Sequence, residues 1–258
     1  MWNNHQLLNS LANVLFVTVI LAVLYTVNLR YIKLPIFPIN EISIKPINGI
    51  DSGDRKLRNI TYEQIEEILR DEITGNFVTI DLTAVRQAFK ELPWVRKVKV
   101  LRNWPDGLEV LLEEHVVLAH WGSSALVNTY GEVFRATIDS NLPVFTGPRE
   151  ESSHEVARQY AAFTKILDPL QQPIAEINLS PRYAWRIRLQ TGTVLELGRD
   201  EVEKRLARYT SVYNQSIAQL NQLELPAYMD LRYSNGFAVR MPQAVQKVPG
   251  RSSMRKET

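Results

Sequence analysis

Hydrophobic and polar positions divide the chain sharply, because one long apolar run near the N-terminus precedes ordinary alternating sequence. The run covers residues 11–29 and contains no charged side chain. About 20 mostly apolar residues in helical conformation cross a bilayer core, so the run predicts a transmembrane helix. A signal peptide and a buried core helix are the alternatives. Residues 1–10 lack the basic side chains and the small-residue cleavage site of a signal peptide, which favours an uncleaved anchor.

The pattern after a proline-containing spacer, residues 30–40, predicts a first domain over residues 41–115. Alternation, capping residues and turn residues give the order strand, helix, helix, strand, strand. The predicted elements are a strand at 41–47 that ends in a turn at Asn48-Gly49, helices at 62–73 and from Asp81 to Pro93, and strands at 95–101 and 107–113. The last two strands form an antiparallel hairpin, and we expect their lysine and glutamate faces to make cross-strand charge pairs.

Residues 116–241 change to short strands separated by turns, which predicts a mainly antiparallel β domain with two inserted helices. The predicted strands are 126–128, 133–134, 144–146, 174–179, 184–190, 194–197, 228–232 and 237–241, and the helices are 153–167 and 200–223. Ser234-Asn235-Gly236 is typical of a two-residue hairpin turn between the last two strands. The outer strand of this hairpin then leaves an open sheet edge, which a partner can extend by adding a strand. Residues 242–258 are polar and basic and predict a disordered tail. The predicted fold class is α+β.

Composition and charge narrow the function classes. Lys and Arg total 30 against 28 Asp and Glu, which gives no strong field for nucleic acid. The absence of cysteine excludes disulfides, thiolate metal sites and cysteine nucleophiles. Arg30 and Lys33 follow the apolar run, and counted alone they would keep the large C-terminal part in the cytoplasm. Long domains translocate largely regardless of charge, so the charges leave the topology open.

Catalytic, cofactor and metal motifs are absent from the sequence. His5, His115, His120 and His154 lack metal-ligand spacing, and neither a glycine-rich nucleotide loop nor G-x-S-x-G is present. Glu113 and Glu114 point to opposite faces of a strand, which does not suit a shared acid and base. The sequence therefore predicts no enzyme, no cofactor and no metal. Four tryptophans are expected to complete small cores, namely Trp94, Trp104, Trp121 and Trp185.

The element order after a single anchor is that of a POTRA domain, and the whole chain resembles the FtsQ family of bacterial cell-division (divisome) proteins. The motifs that carry the resemblance are Ile47-Asn-Gly49, Asn76-Phe77, Asp81-Leu82, Leu92-Pro-Trp-Val95, Trp104-Pro105, Glu114-His115, Val127-Asn128, Gly131-Glu-Val-Phe134, Leu197-Gly-Arg199, Arg205-Leu206 and Asp230-Leu-Arg-Tyr233 with Gly236. The resemblance implies a cytoplasmic N-terminus, one inner-membrane helix, a periplasmic POTRA domain and a β domain that binds FtsB and FtsL during septum formation.

The resemblance also implies which residues contact the partner. Arg232 would pair with a partner carboxylate, Tyr233 would pack a partner aromatic, and Gly236 would let the partner backbone approach. Arg182 would face a partner helix. The remaining predicted contacts are Ser234, Asn235 and Phe237. A POTRA-type chaperone for outer-membrane or secreted proteins is the second hypothesis, and an enzyme acting on the cell wall is the third.

Overall fold

The computed structural model describes residues 5–31, 38–47, 57–73, 75–213 and 226–241. The predicted turn at 48–49, the end of the predicted second-domain helix at 214–223 and the predicted tail at 242–258 lie outside these residues. The chain divides into two compact units, residues 1–115 and 116–258.

The apolar run forms helix α1, His5–Tyr31. Within it, Leu8–Thr26 is a stretch of 19 residues that is long and apolar enough to cross a membrane. At 1.5 Å per residue that stretch is about 28 Å long, close to the thickness of a hydrocarbon core. None of its side chains is buried by the rest of the chain.

The first unit has the predicted order of elements, and its helices start where their capping residues lie. The elements are β1 (Glu41–Pro46), α2 (Tyr62–Glu72), α3 (Leu82–Glu91), β2 (Val95–Asn103) and β3 (Gly107–Glu114). Thr61 and Gln64 form the reciprocal capping box of α2, and the Asp81 carboxylate accepts the Thr83 and Ala84 N–H groups at the start of α3. These side chains satisfy backbone donors that a helix leaves unpaired at its first turn.

The sheet of the first unit has the order β1-β3-β2, with β1 parallel and β2 antiparallel to the central strand β3. Val85 and Phe89 of α3 are fully buried against Val110 and Leu112 of β3. Glu114 ends β3, and its carboxylate accepts the backbone N–H groups of residues 58–60 at 2.9–3.1 Å, just before α2. A family-motif glutamate therefore fixes the entry to a helix.

The predicted charge pairing of the hairpin is only partly right. Lys97 lies opposite Glu113 with 4.0 Å between charged atoms, but Glu113 is held more closely by Arg96, at 2.8 Å. Glu109 binds Lys45 of β1 at 2.7 Å. The reason is that β3 is the central strand, so its carboxylates reach both neighbours, and an irregularity between residues 95 and 97 shifts the register.

The second unit is built on a nine-stranded sheet, ordered β12-β11-β10-β9-β8-β7-β4-β5-β6. Its elements are β4 (Val117–Trp121), β5 (Ala125–Asn128), β6 (Val133–Phe134), β7 (Val144–Thr146), α4 (Ser153–Leu167), β8 (Ile174–Leu179), β9 (Trp185–Leu189), β10 (Val194–Gly198), α5 (Val202–Val212), β11 (Tyr228–Asp230) and β12 (Ala238–Arg240). Three pairs are parallel, β4 with β7, β7 with β8 and β10 with β11, and the others are antiparallel. The α+β fold class is confirmed.

Helices α4 and α5 share the main core of this unit with the sheet. The fully buried side chains include Phe163 of α4, Leu206 of α5 and Ile187 of β9, and the Phe163 and Trp185 rings meet edge to face at 5.8 Å. The buried residues of α4 include Val156, Phe163 and Leu167 at helical spacing, whereas Ala161 is exposed.

Three further differences from the sequence prediction have physical reasons. The sequence does not predict strand β4, because its residues are partly or fully buried on both faces and show no clear alternation. Trp104 completes no core and is 82% exposed, because it lies in the turn between β2 and β3, beyond the ends of both strands. The last hairpin has no two-residue turn: residues 231–237 connect β11 and β12, because Leu231 is buried and its N–H donates to the Glu196 carbonyl of β10.

Candidate partner-binding site

Strand β12 lies at one end of the nine-stranded sheet and pairs on one side only, with β11. Among the described residues no strand covers its outer edge. All three residues of β12 are exposed, and the apolar side chains of Val239 and Met241 are 48% and 43% exposed. An open strand edge presents backbone donors and acceptors that can pair with a strand from another chain.

The loop at residues 231–237, called the 231–237 loop below, contains most of the predicted contact residues. Its first residue, Leu231, is buried in the core, and its last, Phe237, is half-buried and packs on the same core. Tyr233 between them is 57% exposed, and Ser234 and Asn235 are exposed. The loop is therefore attached to the core at both ends and exposes its middle.

Gly236 lies in open space near the end of this loop. Among the described residues, a Cβ atom built there would have no neighbour within 4 Å. Within the part of the chain that the structure describes, no close contact requires glycine at this position.

Arg208 of α5 holds the exposed part of the loop in place. Its Nη1 donates to the Ser234 carbonyl at 2.6 Å, and its Nη2 donates to the carbonyls of Tyr233 at 2.7 Å and Leu231 at 3.3 Å. Charge-assisted bonds of this kind are roughly twice as strong as neutral ones. Local sequence patterns do not reveal this role, because Arg208 lies more than 20 residues from the groups that it binds.

Arg232 is bound within its own chain by the carboxylate of Asp230. Nε donates to Oδ1 at 2.9 Å and Nη2 donates to Oδ2 at 2.6 Å, in the bidentate geometry typical of arginine and carboxylate. The hydrogen bonds from Arg232 hold the pKa of the buried Asp230 below its usual range, and the same contact raises the pKa of Arg232. The guanidinium has five N–H donors, so two bonds do not exhaust it.

The end of β10 supports this arrangement through a glycine. Gly198 has φ of +76°, and a Cβ atom there would lie 2.8 Å from Arg205 Nη1 and 3.0 Å from Arg232 Cγ. Arg205 in turn donates to the Leu197 carbonyl at 2.6 Å. Three separate family-like motifs, 197–199, 205–206 and 230–233, therefore meet at one end of the sheet.

Arg182 lies at the same end of the sheet but not in the same loop. It is exposed in the turn between β8 and β9, where the Tyr183 N–H donates to the Ser180 carbonyl at 2.9 Å. Strand β9 starts opposite Gly198, so this turn and the 231–237 loop share one sheet end. With strands about 4.8 Å apart, two to three strand spacings separate them by roughly 10–15 Å.

The exposed face of the sheet beside this site carries cross-strand ion pairs. Arg186 binds Glu196 at 2.8 Å and Arg188 binds Glu176 at 3.2 Å. Arg240 of β12 lies over the Tyr228 ring at 5.3 Å, and burial raises the pKa of that tyrosine. Within the described part of the chain, no group of three or more His, Asp or Glu side chains could hold a metal ion.

Comparison with known proteins agrees with the resemblance noted in the sequence. Residues 119–232 match the family model described as "Cell division protein FtsQ/DivIB, C-terminal", and residues 55–115 match "POTRA domain, FtsQ-type". A protein of Nitrosospira multiformis named Cell division protein FtsQ is 50% identical over 240 residues, 93% of this chain and 99% of the relative. Proteins of the same name from Burkholderia pseudomallei and Bordetella pertussis are 36% and 31% identical, each with about 93% of both chains covered. The chain therefore belongs to the FtsQ/DivIB family of cell-division proteins.

Proposed function

We propose that the chain is a non-catalytic scaffold of the divisome that binds the FtsB and FtsL pair through its β domain and so links early and late division proteins. The proposed location is the inner membrane, concentrated at the septum, with a single-pass helix and with the bulk of the chain in the periplasm. The proposed boundaries are a cytoplasmic segment (1–10), a transmembrane helix (11–29), a spacer (30–40), a POTRA domain (41–115), a β domain (116–241) and a tail (242–258).

The observation that supports this proposal most is the open edge of β12 beside the 231–237 loop. A partner strand that pairs with β12 would place its side chains next to Tyr233, which is 57% exposed and lies in a loop already attached to the core. An exposed tyrosine combines a large apolar ring with a polar tip, as residues that dominate interfaces often do. We assign Tyr233 the role of packing against a partner aromatic ring.

The other site residues have roles that agree with their surroundings. Arg232 keeps N–H donors beyond its two bonds to Asp230, so a partner carboxylate can bind the same guanidinium. In the described part of the chain, Gly236 has no neighbour within 4 Å of a built Cβ, which leaves space for a partner backbone. Arg182 would contact a helical part of the partner, and Ser234, Asn235 and Phe237 would line the contact.

Replacement of Tyr233 tests the proposal. The full chain in a mild detergent is immobilised, and the binding of a purified FtsB–FtsL complex is titrated for the native chain, Tyr233→Glu and Tyr233→Phe. Loss of an interface hot spot costs about 2 kcal/mol or more, so Tyr233→Glu should weaken binding by about 30-fold or more. Tyr233→Phe keeps the ring and should bind nearly as the native chain does.

The control variant is Tyr62→Glu, which places the same charge on an 84% exposed tyrosine of the first unit. It should leave binding unchanged. Hydrogen exchange of β10 and β11 establishes that Tyr233→Glu is still folded. Unchanged binding by a folded Tyr233→Glu variant would refute the assignment of the site.

A further inference from the structure

The tip of the β2–β3 hairpin carries an exposed tryptophan that the partner-binding site does not use. Trp104 is 82% exposed, although tryptophan is among the side chains that are buried most on average. The nearby residues Leu101 and Val78 are 47% and 61% exposed. These three residues are called the hairpin-tip cluster below.

The hairpin tip lies where the chain enters the first unit from the membrane helix. Asn40 donates its backbone N–H to the Asp106 carbonyl at 3.0 Å and its side-chain amide to the Asp106 carboxylate at 2.8 Å. Glu41 is aligned with Gly107 in the parallel β1–β3 pair. The tip therefore adjoins the first described residues that follow α1 and the spacer.

The connection between α1 and this point is short. Helix α1 ends at Tyr31, and residues 32–40 join it to β1. Nine residues span at most about 30 Å, whatever their conformation. A unit tethered this closely to a bilayer meets the membrane surface constantly, so its effective concentration there is high and even a small contact can be populated.

The cluster is held by hydrogen bonds. The Arg102 guanidinium donates to the carbonyls of Phe77 at 2.9 Å, Ile80 at 3.0 Å and Val78 at 3.3 Å. These bonds join the loop that carries Val78 to the hairpin. The hydrogen bonds from Asn40 to Asp106 join the hairpin tip to the start of β1. Arg102 and Asn103 are also exposed, but the Arg102 guanidinium is directed to backbone carbonyls of its own chain, and Trp104, Leu101 and Val78 supply the exposed apolar surface of the tip.

We infer that the hairpin-tip cluster docks on the lipid surface, with Trp104 inserted at the level of the headgroups. Tryptophan is enriched at membrane interfaces because its ring is apolar and its indole N–H seeks water or headgroup oxygens. The contact would give the chain a second attachment to the bilayer and fix which face of the first unit is turned to the membrane. The inference requires α1 to span the bilayer, but neither a particular topology nor the FtsB–FtsL assignment.

The same domain contains a matched control at its opposite end. Tyr62 is 84% exposed, and it follows residues 58–60, which are bound to Glu114 at the far end of β3. At about 3.3 Å per residue, β3 separates that end from the hairpin tip by roughly 23 Å. A lipid contact caused by exposure of an aromatic ring alone would affect both ends, whereas the inferred contact affects only the tip.

The test uses the absence of cysteine from the chain. Single cysteines introduced as Asn103→Cys at the tip and Glu63→Cys beside Tyr62 carry a fluorescent label, and the full chain is reconstituted into vesicles of phosphatidylethanolamine and phosphatidylglycerol. The vesicles contain headgroup-level quencher lipids and on average less than one chain each. We expect severalfold stronger quenching at position 103 than at position 63. Addition of Trp104→Ser to Asn103→Cys should reduce its quenching to the level seen at 63.

Equal quenching at the two positions would overturn the inference, and so would quenching at 103 that Trp104→Ser does not change. Because each vesicle holds at most about one chain and no other protein, excess quenching at the tip can come only from a contact with lipid. A tip that binds only a protein partner or a second copy would show no excess quenching at 103 under these conditions. Either result leaves the Tyr233 experiment unaffected.

Discussion

Gly198 provides the sharpest test of how the proposed partner-binding site is held together. Gly198→Ala adds one methyl group at φ of +76°, in contact with Arg205 Nη1 at 2.8 Å and Arg232 Cγ at 3.0 Å. The left-handed backbone costs an alanine about 1–2 kcal/mol. The crowding costs about 1–3 kcal/mol more, because both arginines are already bound and must shift. We expect the free energy of unfolding of the second unit to fall by the sum of these two costs.

Gly122→Ala separates the two costs, because Gly122 has φ of +60° and, among the described residues, no neighbour within 4 Å of a built Cβ. Gly122→Ala should therefore lower the free energy of unfolding only by the cost of the left-handed backbone. Hydrogen exchange of the full chain in detergent, read at the most protected amides of β8 to β10, reports the free energy of the unit. Since 1.4 kcal/mol is a factor of ten, Gly198→Ala should exchange about fivefold to 150-fold faster than Gly122→Ala.

The reasoning would be refuted if the two variants exchanged at the same rate, because contacts with Arg205 and Arg232 would then cost nothing. A second readout concerns the site itself. Displacement of Arg232 should weaken FtsB–FtsL binding by Gly198→Ala, while Gly122→Ala binds as the native chain does.

Two further predictions concern carboxylates that bind within the chain. The folded pKa of Asp230 is below its usual value, so the stability that it contributes is present above about pH 4 and is lost as pH falls through the folded pKa. This loss of stability is measured by hydrogen exchange of β10 and β11 between pH 5 and pH 2, corrected for the intrinsic exchange rate. It should be smaller in Asp230→Asn than in the native chain, and an identical loss in the two chains would contradict the assignment. Glu114→Ala leaves three backbone N–H groups without their acceptor and should destabilise the first unit by about 1–3 kcal/mol. The loss is measured as faster hydrogen exchange in α2. Glu114→Gln keeps one acceptor oxygen and should lose less stability.

The sequence predicted the elements that local chemistry determines. The capping box at Thr61 and the N-cap at Asp81 gave the starts of two helices, because both act within four residues of themselves. Strands such as β8 were found because alternation and turn residues mark them. Strand β4 is not predicted because it is partly or fully buried on both faces, so its sequence lacks the alternation of polar and apolar residues that marks a strand.

The position of the candidate site could be predicted from the sequence, but the contacts that hold its loop in place could not. The resemblance placed the contact residues in one stretch, and the structure puts six of the seven in the 231–237 loop and Arg182 at the same sheet end. The Asn235-Gly236 pair suggested a tight turn, but Leu231 continues along β10 and lengthens the connection. Arg208 was not foreseen, because local pattern does not reveal contacts across more than 20 residues.

The brevity of β12 has a consequence for copies of the chain that share one membrane. Diffusion confined to two dimensions brings such copies together often, and a long open sheet edge would let them pair with each other and aggregate. Strand β12 is three residues long, so an edge-to-edge pair of copies gains few hydrogen bonds, each worth about 1 kcal/mol net. A partner that binds as proposed would therefore obtain most of its affinity from side chains beyond the strand, and the short edge would disfavour self-association.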